Sequence, residues 1–168
     1  MVIGTTGSGK TALSSKLAGK LGVPHVELDA LHWEPGWTEP SVEVFRSLVR
    51  EAISGDAWVV DGNYSEVRDL VWGRADTVVW LDLPLRVIIR RLVPRSIKRV
   101  AFRERLWGTN TETLTSLLGR DSIVLFALKS HRKQRRNYPR LLQGLGGAEV
   151  VHLTSQEQAD GWLNSIKA

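Results

Sequence analysis

Two hydrophobic periodicities alternate along the chain, and they predict strands and helices in turn. Five short runs predicted as strands lie at residues 1–3, 25–29, 57–61, 76–82 and 149–153. One of them contains the continuous apolar run Val78-Val79-Trp80-Leu81, which is typical of a parallel strand covered by helices on both faces. Between these runs, apolar residues recur at helical spacing, as at Leu13, Leu17 and Leu21. Strands that alternate with helices favour a parallel sheet. We therefore predict an α/β fold in one domain over 1–168, with three layers and a central parallel sheet of about five strands flanked by helices.

The stretch before the last predicted strand has a mixed pattern. Pro84 opens a helix, and Pro94 is expected to kink or break it. Beyond this point the pattern is helical but interrupted, so we expect residues 96–140 to form a basic helical lid or insert within the domain. Near the C-terminal end, Ser155 with Gln158 predicts a capping box that opens a final helix.

Composition narrows the class of protein. The chain of 168 residues has no cysteine, so disulfides, thiolate metal sites and a cysteine nucleophile are excluded, which favours a reducing compartment. No apolar run reaches the roughly 18 to 20 residues of a membrane span, and the N-terminus lacks the order of a signal peptide. We therefore expect a cytoplasmic protein that does not cross a membrane.

Lysine and arginine are concentrated in the middle of the chain. Residues 86–140 hold 15 of the 23 basic residues but three of the 18 acidic ones. Such a field raises the local concentration of polyanions, so we expect a partner that carries phosphates: a nucleotide, a phosphorylated metabolite or a nucleic acid. A solvated basic face with no specific ligand is the alternative.

A glycine-rich loop follows the first predicted strand and precedes the first predicted helix. Its sequence is Gly4-Thr5-Thr6-Gly7-Ser8-Gly9-Lys10-Thr11, which matches the full P-loop pattern. In such a loop, backbone N–H groups and the helix N-terminus bind phosphates. Lys10 reaches the β- and γ-phosphates, and the Thr11 hydroxyl coordinates Mg²⁺. The sequence thus predicts a nucleotide site for ATP with Mg²⁺.

Three acids stand at or just beyond the ends of predicted strands: Asp29, Asp61 and Asp82. The carboxyl ends of parallel strands line the ligand crevice of an open sheet. We predict that Asp61 and Asp82 hold Mg²⁺ through water and that Asp29 faces an acceptor, where it takes or orients a hydroxyl proton. Capping of the following turn is the alternative for each acid.

These motifs resemble the adenylate-kinase-like small P-loop kinases, and most closely the bacterial subgroup described as DNA-topology-modulation proteins. Beside the P-loop, the resemblance is carried by residues 28–33 and 35–37, by 58–64 (Trp-Val-Val-Asp-Gly-Asn-Tyr) and by 75–84. It implies phosphoryl transfer from Mg-ATP to a small acceptor, with a mobile arginine-bearing lid. It also places Arg91 and Arg95 in the register of two arginines that contact ATP. Guanidinium groups at i and i+4 share a helix face and can neutralise charge on the transferring phosphoryl group; a solvated helix face is the alternative.

The acceptor side departs from the adenylate kinase pattern. Asn63-Tyr64 replaces the expected aromatic, proline and arginine, and Arg68 is a loose substitute for that arginine. An aspartate just after the second strand is instead similar to kinases that phosphorylate hydroxyl groups, such as shikimate or gluconate kinases. An indole offers a flat apolar face to a base or a sugar, although packing on the core is the alternative. The substrate-side candidates are Asp29, His32, Trp33, Trp37, Asp61 and Arg68.

The leading hypothesis is a kinase of a small nucleotide-like or hydroxyl-bearing acceptor, in which Lys10, Asp29, Arg91 and Arg95 act on the reacting groups. The basic stretch keeps two alternatives open: a kinase of nucleic-acid ends, and a nucleotide-gated regulator that binds DNA or a partner. The sequence leaves the acceptor and the oligomeric state undetermined.

Overall fold

A five-stranded sheet forms the centre of the computed structural model, which describes residues 1–108, 110–113 and 122–167. The strands are β1 (Val2–Gly4), β2 (His25–Glu27), β3 (Val59–Asp61), β4 (Thr77–Leu81) and β7 (Glu149–Leu153). Their order in the sheet is β2-β3-β1-β4-β7, and every pair of neighbours is parallel. The predicted α/β class and parallel sheet are confirmed.

Helices cover both faces of this sheet. They are α1 (Lys10–Leu21), α2 (Leu28–His32), α3 (Val42–Ala52), α4 (Arg68–Trp72), α5 (Leu85–Ala101), α6 (Ile123–Gln143) and α7 (Gln156–Ser165), with a 3₁₀ turn at Ser65–Val67. The N-cap side chain of Ser155 accepts a hydrogen bond from the Gln158 N–H, whereas the Gln158 side chain accepts one from the N–H of Thr154. The final helix therefore begins where its capping residue predicts.

Strand side chains point alternately into two hydrophobic clusters. Val2, Val79 and Leu81 pack with Leu13 and Leu17 of α1. The opposite face packs with α3 and α6, through a cluster that includes Ile3, Val60, Trp80, Phe45 and Tyr138. Each face of the sheet thus has its own core, which is why the central strands are apolar throughout.

The second strand is shorter than the predicted strand over residues 25–29. It ends at Glu27, and α2 begins at Leu28. Leu28 is 1% exposed, and its side chain packs so closely on Gly62 that a Cβ there would lie 2.7 Å from Leu28 Cβ. This contact holds the chain as it leaves the sheet, so Asp29 lies in the first turn of α2 rather than at a strand end.

The region expected as a helical lid is divided between several elements. Helix α5 continues unbroken through Pro94, whose ring lies on an exposed face. The chain then forms an antiparallel hairpin of β5 (Arg105–Leu106) and β6 (Asn110–Thr111). Helix α6 packs on the core through Tyr138 and Leu142. Residues 114–121 of the expected lid lie outside the described residues.

Across the described ranges, no helix combines the length and the apolar character that a membrane span requires.

Candidate active site

The glycine loop between β1 and α1 is held tightly against its neighbours. Gly4, Gly7 and Gly9 have φ values of 149°, 81° and 98°, which L side chains rarely adopt. A Cβ on Gly4 would lie 2.5 Å from the backbone oxygen of Leu81. Within the loop, the buried Ser8 hydroxyl finds no partner in the described part of the chain. Inward-turned backbone and an unpaired hydroxyl fit a loop that binds phosphate groups.

Lys10 stands at the start of α1 beside this loop. Its ammonium group donates to the Thr5 carbonyl at 3.3 Å. Burial lowers the pKa of Lys10, while the carboxylates of Asp29, Asp61 and Glu27 oppose that change and Arg95 adds to it. The charges that act most on Lys10 are therefore those of acids at or just beyond the ends of β2 and β3.

Thr11 and Asp61 form the contact that suits Mg²⁺. The Thr11 hydroxyl donates to Asp61 Oδ1 at 3.0 Å, and His25 Nε2 lies 2.6 Å from Asp61 Oδ2. Asp61 is 1% exposed, at the end of β3. Because Mg²⁺ prefers hard oxygen ligands and keeps several waters, this hydroxyl and carboxylate fit the metal of a Mg-ATP site.

Asp82, the other predicted metal residue, has different neighbours. Arg135 Nε donates to Asp82 Oδ2 at 3.0 Å, and His152 Nε2 lies 3.3 Å from the same oxygen. The His152 ring stacks on Trp80 with 4.1 Å between centroids. Basic groups from α6 and β7 thus contact the Asp82 carboxylate, while the Thr11 hydroxyl contacts Asp61. A metal role for Asp82 stays a prediction.

The two predicted ATP arginines lie one turn apart on α5. Arg91 Nη1 donates to the Ser8 carbonyl at 3.3 Å, and its Nη2 donates to Gln156 at 2.9 Å. Arg91 therefore touches the P-loop itself. The Arg95 guanidinium lies close enough to lower the pKa of Lys10. Their face of α5 is turned towards the phosphate loop rather than away from it.

Most of the residues predicted for the acceptor side lie near Asp29. The Tyr64 hydroxyl donates to Asp29 Oδ1 at 2.6 Å. Burial first, and then the Asp29 charge, raise the pKa of Tyr64, so it remains a neutral donor; a hydrogen bond with Trp33 acts in the opposite direction. His32 packs on Tyr64 with 4.3 Å between ring centroids and lies 3.5 Å from Glu39. Of the substrate-side candidates, Asp29, His32 and Trp33 are thus brought together.

Trp37 and Arg68 have other surroundings. The Trp37 ring packs edge-on against Trp33 and Trp107, at 5.4 and 5.9 Å between centroids. The Arg68 guanidinium lies 5.2 Å above the Trp72 ring, and its charge opposes the rise in the Tyr138 pKa that burial causes. Arg68 and Tyr64 both line a narrow crevice that also borders Trp72 and Tyr138.

Several residues with contacts at this site were not among the site residues predicted from the sequence: Glu27, Asn63, Tyr64, Trp107 and Gln134. Glu27 reads as an ordinary strand residue, yet burial and the nearby Asp61 and Asp29 raise its pKa. Gln134 of α6 accepts a hydrogen bond from the Thr5 hydroxyl at 3.0 Å, which no local motif indicates. Among these residues, only the pair Asn63-Tyr64 could have been predicted from the sequence, because it directly follows a strand that ends on Asp61.

The fold and this loop define the class: the chain has the fold of the small P-loop kinases. Three solved structures carry the likeness. The shikimate kinase of Acinetobacter baumannii, in complex with shikimate, is 20% identical with a TM-score of 0.61, over 97% of this chain and 87% of that one. The shikimate kinase of Bacteroides thetaiotaomicron is 18% identical with a TM-score of 0.55, over 97% and 92% of the two chains.

A gluconokinase from Sinorhizobium meliloti 1021 is 18% identical with a TM-score of 0.53, over 97% of this chain and 89% of that one. No family model matches the sequence, and no curated protein matches it. At these identities the likeness shows the fold alone.

Proposed function

We propose that this protein is a Mg-ATP-dependent phosphotransferase that moves the γ-phosphoryl group of ATP to a hydroxyl of a small acceptor. The observation that supports it most is a pair of hydrogen-bonded carboxylates near the phosphate loop: Asp61 accepts from the Thr11 hydroxyl at 3.0 Å, and Asp29 accepts from the Tyr64 hydroxyl at 2.6 Å. Both carboxylates oppose the lowering of the Lys10 pKa. A phosphate loop that only hydrolysed or sensed a nucleotide has no need of a second carboxylate held in this way.

The P-loop and α5 bind the phosphate donor. Loop N–H groups and Lys10 bind the phosphates, and Lys10 exchanges its contact with the Thr5 carbonyl for phosphate oxygens. Thr11 and Asp61 would hold Mg²⁺, which neutralises charge on the phosphates as the bond to ADP breaks. Arg91 and Arg95 add positive charge beside the loop, where it stabilises the transferring group.

The acceptor half falls to Asp29. Tyr64 uses Asp29 Oδ1, whereas Oδ2 has no hydrogen bond within the described residues. That oxygen is free to accept the proton of an acceptor hydroxyl as the oxygen attacks phosphorus. Because Tyr64 stays protonated, it fixes the carboxylate without competing for that proton.

ADP formation tests the proposal. With purified wild type, a responsive acceptor from a panel of nucleosides, nucleoside monophosphates, sugars and sugar acids should raise ADP formation above the acceptor-free rate. In Lys10→Ala this stimulation should be lost by a factor of about 10² or more. Lys16→Ala, an exposed change on the same helix, is the matched control and should leave it unchanged. ATP binding with no stimulation by any acceptor would contradict the phosphotransferase.

The finer expectations from the sequence stay predictions. They are the resemblance to the DNA-topology-modulation subgroup, the cytoplasmic location, and binding of nucleic acid or a partner by residues 86–140. Part of that basic stretch is engaged within the chain, since Arg99 contacts Glu112 at 2.8 Å and Arg135 contacts Asp82. A 5′-hydroxyl oligonucleotide in the acceptor panel tests the kinase of nucleic-acid ends.

A further inference from the structure

An open cavity of about 570 Å³ lies between α6 and the edge strand β7; we call it the edge cavity. Trp80 and His152 both line it, and their rings are stacked with 4.1 Å between centroids and 12° between planes. Pro139 and Leu142 of α6 and Val150 of β7 line it as well. Small-molecule sites have volumes of this order and are largely apolar with a few polar groups, so the edge cavity is large enough for a ligand.

The edge cavity lies on the face of the sheet opposite α1. Trp80 belongs to the hydrophobic cluster that packs with α3 and α6, whereas its neighbours Val79 and Leu81 pack with α1. Among the described residues, none of the loop 4–11 and none of the predicted substrate-side residues lines this cavity. It is therefore separate from the place where ATP and the acceptor are expected.

The His152 ring offers a flat surface within the edge cavity. Trp80 covers one face of the imidazole, yet 44% of the His152 side chain is exposed. Val150, which is two residues earlier on the same side of β7, is 40% exposed. A planar ring can stack on the open face of the imidazole and cover the valine at low entropic cost, so these two side chains favour a ring as the ligand.

Arg135 and Asp82 supply the charged groups of the edge cavity. Asp82 Oδ2 accepts from Arg135 Nε at 3.0 Å and lies 3.3 Å from His152 Nε2. The Asp82 side chain is 4% exposed, whereas that of Arg135 is 57% exposed. The terminal nitrogens of Arg135, Nη1 and Nη2, form no hydrogen bond with any residue that the structure describes. The cavity thus presents a guanidinium to a ligand, and not the carboxylate behind it.

The helix beside the edge cavity adds positive charge without any acid. No aspartate or glutamate occurs in α6. Arg132 and Arg136, within one turn of Arg135, are exposed, and neither forms an ion pair with the described part of the chain. Such a surface attracts anions, and a guanidinium binds a carboxylate or a phosphate through two parallel N–H bonds.

We propose that the edge cavity is a second ligand site, for a planar ring compound that carries a negative charge. The ring lies against His152, and the carboxylate or phosphate of the compound lies against Arg135. Arg135 and Gln143 both line the cavity and are about 12 Å apart along α6, which leaves room for a ring and an anionic group in one molecule. This inference does not depend on the phosphotransferase proposed above.

The imidazole NMR signals of the histidines show where such a compound binds. His25 and His32 contact Asp61 and Glu39 at the proposed reaction site, whereas His152 lines the edge cavity. At constant pH the protein is titrated with two ring anions, AMP as a phosphate and 4-hydroxybenzoate as a carboxylate. Adenosine has the ring without the charge, and inorganic phosphate has the charge without the ring.

We expect AMP, 4-hydroxybenzoate or both to shift the His152 signal to saturation, with a Kd at least about tenfold below those of adenosine and inorganic phosphate. Shifts confined to His25 and His32 would place the ring anions in the reaction site and overturn the inference. No shift of the His152 signal, or equal affinity for AMP and adenosine, would also overturn it. A His152 signal that moves with protein concentration alone would make the cavity an interface between copies instead.

Two substitutions test the two contacts separately. Arg135→Gln removes the charge and keeps a side-chain donor for Asp82, while His152→Leu removes the flat ring, keeps an apolar cover on Trp80 and assigns the His152 signal. In calorimetric titrations each variant should bind the ring anion at least about tenfold more weakly than wild type. Arg140→Gln, an exposed change on the same helix, is the control. Equal weakening in Arg140→Gln and Arg135→Gln would reduce the effect to general attraction by a basic helix and overturn the site.

Discussion

Asn63 binds both backbone polar groups of Gly4, the first residue of the phosphate loop. Its Oδ1 accepts from the Gly4 N–H at 3.1 Å, and its Nδ2 donates to the Gly4 carbonyl. The Tyr138 hydroxyl donates to the same Oδ1 at 3.1 Å. The amide thereby extends the pairing of β3 with β1 by one residue and connects it to α6. Asn63 is a positioning residue for the loop.

Asn63→Asp tests that role. The new carboxylate oxygen faces the Gly4 carbonyl, where the amide used to donate, so we expect a loss of about 1–3 kcal/mol in the free energy of unfolding. We also expect a higher Kd for ATP, because the loop loses its anchor. Urea denaturation and ATP titration measure the two effects. Asn164→Asp, at an exposed position on α7, is the control. Equal effects in both variants would show that Asn63 does not position the loop.

At the scale of elements, the β5–β6 hairpin is docked on the loop that follows α2. Asn110 is 2% exposed; it accepts from the Trp37 N–H at 3.0 Å and donates to the Glu34 carbonyl at 2.9 Å. Trp37 Nε1 also donates to the Thr111 carbonyl. One side chain therefore holds the hairpin whose Trp107 ring packs edge-on against Trp37.

Asn110→Ala should release the hairpin. Two backbone groups lose a buried partner, at a cost of about 1–3 kcal/mol each, so we expect faster amide exchange over residues 105–111 and a higher KM for the acceptor. The KM for ATP should change little, because the P-loop makes none of these contacts. Hydrogen exchange and steady-state kinetics measure this, with Asn164→Ala as control. A rise confined to the KM for ATP would contradict the assignment of the hairpin to the acceptor side.

Helix α3 is tied to the first turn of α4 by an ion pair. Both terminal nitrogens of the Arg46 guanidinium, Nη1 and Nη2, donate to the Asp69 carboxylate at 2.7 Å, and this contact lowers the pKa of Asp69 from 3.8 to about 2. A lowered carboxyl pKa contributes stability above the ordinary pKa of the group, and the contribution is lost as the pH falls towards about 2.

Asp69→Asn removes this contribution. Between pH 5 and about pH 2, the urea midpoint of wild type should therefore fall more steeply than that of the variant. The difference should be small, because the Asp69 side chain is 63% exposed and solvent screens the pair. Asp56→Asn, in an exposed turn, should follow wild type. Parallel pH profiles for wild type and Asp69→Asn would show that the pair contributes nothing.

At the scale of the whole molecule, the donor side could be predicted from the sequence because it is nearly contiguous. The loop from Gly4 to Thr11 carries its own glycines, lysine and hydroxyl, and strand alternation placed Asp61 beside it. The acceptor side could not, because its contacts join distant segments. The bond between Asp29 and Tyr64 depends on where β2 ends, and Leu28 ended it two residues early. Trp107 packs against Trp37 from a hairpin in a segment whose pattern indicated an interrupted helix.

In the proposed phosphotransferase, the phosphate loop and Asp29 belong to one reaction site. The most direct test of this arrangement follows the label of γ-labelled ATP into the best acceptor, with wild type, Asp29→Asn and the exposed control Asp56→Asn, while ATP affinity is measured in parallel. We expect Asp29→Asn to bind ATP like wild type and to transfer the label about 10²-fold or more slowly, with Asp56→Asn unchanged. Transfer by Asp29→Asn at the wild-type rate would contradict it.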